Sequence, residues 1–154
     1  MKNALHWLTR TPLVSGPLIL RLTLALVFFP HGAQKVLGWF GGYGFAGTLG
    51  FFTGQLGIPA PLAVLAILTE FLAPLALVLG LGTRVAAFGL AVVMAVAALT
   101  VHLPNGFFAN WSGKQAGEGI EFHLLAIGAA LALVVVGAGR ASLDRVIAAR
   151  TAVA

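Results

Sequence analysis

Hydrophobic residues run through the chain in four long blocks, 17–37, 60–82, 85–101 and 122–139, cut apart by charges, glycines and prolines. Each block is roughly 17–23 residues long, and at about 1.5 Å per residue that length matches a hydrocarbon core about 30 Å thick. The pattern predicts four transmembrane helices, over residues 17–37, 60–82, 84–103 and 119–139. The remaining stretches are too short to bury a core of their own. Residues 1–154 are therefore expected to form a single all-α membrane domain. Short loops make neighbouring helices antiparallel, so an up-down-up-down bundle is the simplest architecture. Pro17 suits a first helical turn, where no N–H is lost, and Pro30 is a candidate kink.

The connections carry their own pattern. Between the first two blocks, Phe45, Leu49, Phe52 and Leu56 recur at helical spacing beside Trp39 and Tyr43, which predicts a short helix lying in the outer membrane interface. A plain buried loop is the alternative. The 104–119 loop holds a second aromatic cluster, Phe107, Phe108 and Trp111. Ala87, Ala91, Ala95 and Ala98 form a small-residue strip on the third helix, a usual basis for close helix packing in lipid that leaves a homo-oligomer open. Ser142, Leu143 and Asp144 read as the start of a short cytoplasmic surface helix.

Composition strengthens the membrane reading. Apolar residues make up 60% of the chain and charged ones 8%, against about 25% charged in an ordinary soluble domain; mean hydropathy is +1.02. The net charge of +5 does not point to nucleic acid, because the basic residues are scattered between apolar blocks and form no stripe. Their placement reports topology instead. Lys2, Arg10, Arg84, Arg140, Arg145 and Arg150 fall on one side, and Lys35 and Lys114 on the other. The positive-inside rule then places both termini in the cytoplasm. Lys2 and Arg10 precede the first block and no small-residue cleavage site follows it, so that block reads as a retained helix. Arg21 is expected to snorkel toward the cytoplasmic face. The absence of cysteine removes thiol redox and Fe–S ligation from this chain's own repertoire.

Several ionisable residues nevertheless fall inside apolar blocks. Glu70 is the sharpest case, since a carboxylate at the bilayer centre costs about 2.5–3.5 kcal/mol even on insertion scales. It must face protein, water or a cation, and Arg21, His31 and Lys35 on the first helix are the candidates. His31 and Lys35 are four residues apart, with Gly32 between them allowing another helix to approach. His102, Glu121 and His123 come to the same outer level from the last two helices. Glu121 and His123 lie two residues apart, about 200° around a regular helix, so at most one can face a shared cavity. These residues form an expected polar pocket in the outer half of the bundle, with the inner half nearly bare. Each also has a plainer reading: a structural ion pair for Glu70, surface snorkelling for Lys35, a headgroup-level position for His102. A metal site drawing on His31, His102 and Glu121 lacks any in-helix ligand spacing, and bis-histidine haem is disfavoured by the unequal depths of His31 and His102.

At these residues the sequence resembles the DoxX family of small four-helix bacterial membrane proteins. Arg21 with the run from Phe29 to Lys35 is similar to an R…F-x-H-G-x-x-K motif, and Glu70 is followed by Gly80, Gly82, Thr83 and Arg84. Gly119, Ile120 and Glu121 open the last helix, which gives Glu121 a better claim than His123 to the cavity, and the run from Gly137 to Asp144 is similar to a closing G-x-G-x-x-S-L-D. The chain departs from the pattern at the run from Phe71 to Pro74 and at His123. The resemblance implies a bacterial inner-membrane protein linked to oxidoreductase complexes or quinone responses. The leading expectation is a redox-linked subunit whose outer cavity holds a quinone-like molecule, working beside a partner oxidoreductase subunit and not catalytic alone. Glu70 and His31 would bind the ligand or relay protons; Lys35 and Arg21 would stabilise an anion. The alternatives are a non-catalytic membrane anchor docking a partner enzyme through its aromatic loops, and a small proton-coupled carrier, which four helices without inverted repeats suit poorly.

Overall fold

Glycines in the left-handed region decide where several of the helices stop. The computed structural model describes Trp7 and residues 14–151, so Lys2 and Arg10, on which part of the topology rests, lie outside the described residues. The described chain is helical, with no strand: α1 (Gly16–Leu37), α2 (Gly44–Gly54), α3 (Ala60–Leu79), α4 (Thr83–Ala97), α5 (Glu121–Val136) and α6 (Leu143–Thr151). α1 begins with Pro17 in its first turn, runs unbroken through Pro30, and ends at Gly38 with φ 74°. α3 ends three residues sooner than its apolar block because Gly80 turns left-handed at φ 62°. There Gly80 N–H donates to the Leu77 carbonyl (3.2 Å) and Leu81 N–H to that of Ala76 (2.9 Å), the paired bonds of a Schellman stop.

α4 continues as a π-helical turn, Ala98–His102, and a 3₁₀ turn, Leu103–Asn105. Pro104 has no N–H to offer the Thr100 carbonyl, so the regular ladder cannot persist there. α5 is shorter than its predicted 119–139 span, because Gly137 at φ 85° closes it after 16 residues. Three described stretches are therefore long and apolar enough to cross a membrane, Gly16–Leu37, Ala60–Leu79 and Thr83–Asn105, while α5 is shorter.

Neighbouring helices run antiparallel, as their close approaches require. A Cβ built on Gly32 of α1 would lie 2.6 Å from the Phe71 Cα of α3, and one on Gly80 would meet the Arg21 guanidinium carbon at 2.9 Å. Gly32 thus lets the two backbones touch. Gly32→Ala is expected to push α1 from α3 and lose about 1–3 kcal/mol, the usual range for overpacking, read as a lower thermal midpoint in detergent. The core joins Leu24 and Phe28 of α1 with Leu77 of α3, Leu90 and Met94 of α4, and Leu133 of α5. Ala87, Ala91 and Ala98 are buried, the first two beside Ala126 and Ala130 of α5. Ala95, the fourth member of the alanine strip, is half-buried, so most of the strip packs within the chain.

The inner end is not bare. Arg21 is fully buried (0% exposed) and donates through Nη2 to the Ala141 carbonyl (2.9 Å) and the Arg140 carbonyl (3.2 Å). Asp144 accepts from the Gly82 N–H (2.7 Å) and the Thr83 N–H (2.9 Å), capping α4 from another part of the chain where its positive dipole end lies. Ser142 caps α6, its Oγ accepting from Arg145 N–H at 3.3 Å. The Gly137-to-Asp144 run therefore acts as a clasp binding α1, the α3–α4 turn and α6. Arg21 does not snorkel.

Candidate functional site

Glu70 finds its cation on α1. Lys35 Nζ donates to Glu70 Oε1 at 2.6 Å, with 24% of the lysine side chain exposed and 5% of the carboxylate's. A charge-assisted bond of this length is among the stronger protein hydrogen bonds, and it resolves the cost of a carboxylate placed in α3. Gly32 makes it geometrically attainable, because the backbone contact at Gly32 brings Lys35, one turn further on, over Glu70. That contact also sets depth. Glu70 sits level with Gly32, in the C-terminal half of α1, while Arg21 is eleven residues away, about 16 Å along the helix. Arg21 and Glu70 are not brought together.

Lys35 and Glu70 line a cleft of about 1440 Å³ that His31, His102 and His123 also line. The structure thus gathers five of the seven predicted polar residues around one space. His31 presents an exposed ring to it. His102 is carried on the π-helical turn, a feature frequent at functional sites, and its Nδ1 lies 2.9 Å from the Glu118 carbonyl. Its ring packs on His123 with centroids 4.1 Å apart and planes 42° to one another. His123 is 6% exposed, and its buried Nδ1 has no hydrogen-bond partner. Phe122 stacks toward Phe28 of α1 at 6.3 Å and keeps this end of α5 in place.

Glu121 faces elsewhere. Its Oε1 accepts from the Ala109 N–H (2.8 Å) and from Trp111 Nε1 (3.2 Å), and Glu118 Oε2 accepts from the Asn110 N–H (2.5 Å). Of the two residues that cannot share a cavity, the resemblance favours Glu121, but His123 lines it and Glu121 holds the 104–119 loop. Glu121→Ala is expected to loosen that loop, so limited trypsin digestion in detergent should cut after Lys114 several-fold faster than in the parent. Among the described residues, no three His, Cys, Asp or Glu side chains are grouped as a metal centre needs; His31, His102 and Glu121 do not converge. A second hollow of about 740 Å³ lies along α6 beside Ser142, Arg145 and Arg150, remote from the paired carboxylate.

α2 positions the outer wall. Phe51, Phe52 and Leu56 come from this helix and its end to line the cleft, with Thr48 buried beneath. The helix expected between the first two blocks is present. Sequence reasoning missed the stacking of His102 on His123, because the π-helical turn that rotates His102 leaves only Pro104 as a local sign.

Described residues that are all helical or in turns, with three stretches long and apolar enough to cross a membrane, are those of a membrane protein. Its sequence places it further: the chain belongs to the DoxX family, whose model matches residues 16–103. That match contains Arg21, His31, Lys35, Glu70 and His102, whereas His123 and the clasp residue Asp144 lie beyond it. A protein of Bacillus subtilis (strain 168) named "Putative oxidoreductase CatD" is 32% identical over 95 residues, which is 62% of this chain and 66% of that relative. The shared segment is thus just under two thirds of the relative's length. No solved structure matches the chain.

Proposed function

We propose that the chain crosses the bacterial inner membrane four times, up-down-up-down, with both termini cytoplasmic, and that its outer cleft binds a quinone-like molecule as part of a redox-linked assembly. At 16 residues, α5 spans about 24 Å, a shortfall that flanking residues or local bilayer thinning accommodates. Arg84, Arg140, Arg145 and Arg150 gather at the clasp end of the helices, which supports that end as the cytoplasmic one. The relative's name, an oxidoreductase, supports the redox link.

The observation that carries this reading is the Lys35–Glu70 pair on the wall of a mostly apolar cleft. Binding sites combine a mostly apolar lining with a few convergent polar groups. A quinone carbonyl would accept from the Lys35 ammonium, and the hydroxyl of its reduced form would donate to Glu70 or to an imidazole. With a carboxylate, an ammonium and three imidazoles along one cleft, the site can both orient such a ring and carry protons from it. Electron transfer belongs to the bound molecule and a partner oxidoreductase subunit.

Isothermal titration of the protein in lipid nanodiscs with a soluble benzoquinone tests this. Saturable binding is expected, weakened at least tenfold, about 1.4 kcal/mol, in Glu70→Gln, which keeps the shape of the side chain and removes its charge. Equal affinity in the two proteins would count against the site.

A further inference from the structure

The cleft is larger than the headgroup of a quinone-like molecule needs. Small-molecule pockets run to about 300–1,000 Å³, and this one measures about 1440 Å³. It does not stop at the polar cluster. From His102 it continues along the seam between α3 and α4 to Gly82, twenty residues of α4 and about 30 Å. The seam is floored by small side chains, Ala73 and Ala76 on α3 with Ala86 and Gly89 on α4. Its rim is formed by large ones turned outward, such as Leu65 (62% exposed) and Phe88 (58%). Of the ionisable side chains that line it, His102, His123 and Glu118 stand at the His102 end, and Lys35, Glu70 and His31 stand further along, Glu70 next to Thr69, which meets Gly89 of α4. At the His102 end His123, almost wholly buried, holds a ring nitrogen that closes no hydrogen bond.

A groove that is polar from His102 to Glu70 and apolar from Glu70 on to Gly82 has the polarity of an amphiphile. We infer that the occupant is a chain-bearing amphiphile taken sideways from the bilayer, its headgroup between Lys35–Glu70 and the His102–His123 pair and its apolar chain along the α3–α4 seam. The inference rests on the quinone-like reading of the same cleft and adds to it the chain, the lateral route and the histidine pair as the second polar wall. A chainless, water-borne ligand would leave most of the groove unfilled. Removing an apolar chain from water favours its burial, but a bilayer offers the chain the same apolar surroundings. The advantage over plain partitioning must therefore come from fit between the two helices.

The test uses two probes on the full chain in nanodiscs: a dimethoxy-methyl benzoquinone without a side chain, and the same headgroup with a decyl chain. Affinities are referred to the concentration of each probe within the bilayer. At least a tenfold preference for the decyl probe is expected. Ala76→Phe, which fills the seam two turns inward of Glu70, should bring that ratio toward one. Ala86→Phe, on the facing helix, provides the same measurement should the first variant fold poorly. His123→Phe retains the ring stack without its nitrogens and should weaken both probes by a similar factor. Equal affinity for the two probes in the parent protein, or an unchanged ratio in the seam variants, would overturn the inference while leaving the headgroup site standing. Absence of saturable binding by either probe would overturn both.

Discussion

Asp144→Ala is expected to be the most damaging single replacement in the inner half of the bundle, lowering stability by about 3–5 kcal/mol, the range for removing one partner from a buried charge arrangement. The Asp144 carboxylate, 2% exposed, accepts from the Gly82 and Thr83 amides. Hydrogen bonds to a charged group contribute about 1.5–3 kcal/mol each. Their loss strips the cap from α4 and also leaves Arg21 buried without the carboxylate that offsets its charge. Arg21 already has Nε and Nη1 unpartnered, so it cannot readily adapt. Asp144→Asn keeps an acceptor oxygen but not the charge, and should fall between alanine and the parent. Thermal unfolding in detergent, followed by tryptophan fluorescence, checks the descending order of stability: the parent, then Asp144→Asn, then Asp144→Ala. A carboxylate that merely decorated a surface helix would leave all three within about 0.5 kcal/mol of each other.

The second large effect belongs to the outer half. Glu70→Leu leaves the Lys35 ammonium without its partner and is expected to destabilise the protein by about 3 kcal/mol, the lower end of the range for breaking a buried pair. The lower end applies because Lys35 keeps 24% of its side chain exposed and can recruit water. Lys35→Met should cost a similar amount, since it leaves a carboxylate unpaired in α3. The two changes together should not add. Replacing both partners of a buried ion pair by apolar side chains of similar volume is often close to neutral, so the double variant is expected within about 1 kcal/mol of the parent. The same thermal unfolding measurement, run as a double-mutant cycle, gives the coupling directly.

The long apolar blocks were legible because lipid imposes length and polarity on every spanning segment. The stops were less legible. Gly80 and Gly137 end α3 and α5 early through backbones of positive φ, and composition alone does not distinguish those glycines from Gly89 or Gly128, which sit inside helices. Lys35 and Glu70 could be proposed as partners because each needs the other in lipid. Arg21 could not be placed: its acceptors are two backbone carbonyls about 120 residues away, and a carbonyl leaves no mark in a sequence. The choice between Glu121 and His123 turned on the course of the 104–119 loop. Ala109 and Trp111 of that loop take up the Glu121 carboxylate, which leaves the cleft to the histidine.

Whether Lys35 and Glu70 serve a ligand or only the fold is decided by the protein in which both are replaced. Lys35→Met with Glu70→Leu is to be reconstituted in nanodiscs, its thermal midpoint compared with the parent, and its benzoquinone affinity measured in the same preparation. A ligand-binding role predicts a midpoint close to the parent's together with at least a tenfold loss of affinity. A folded double variant that binds the quinone as tightly as the parent would contradict it.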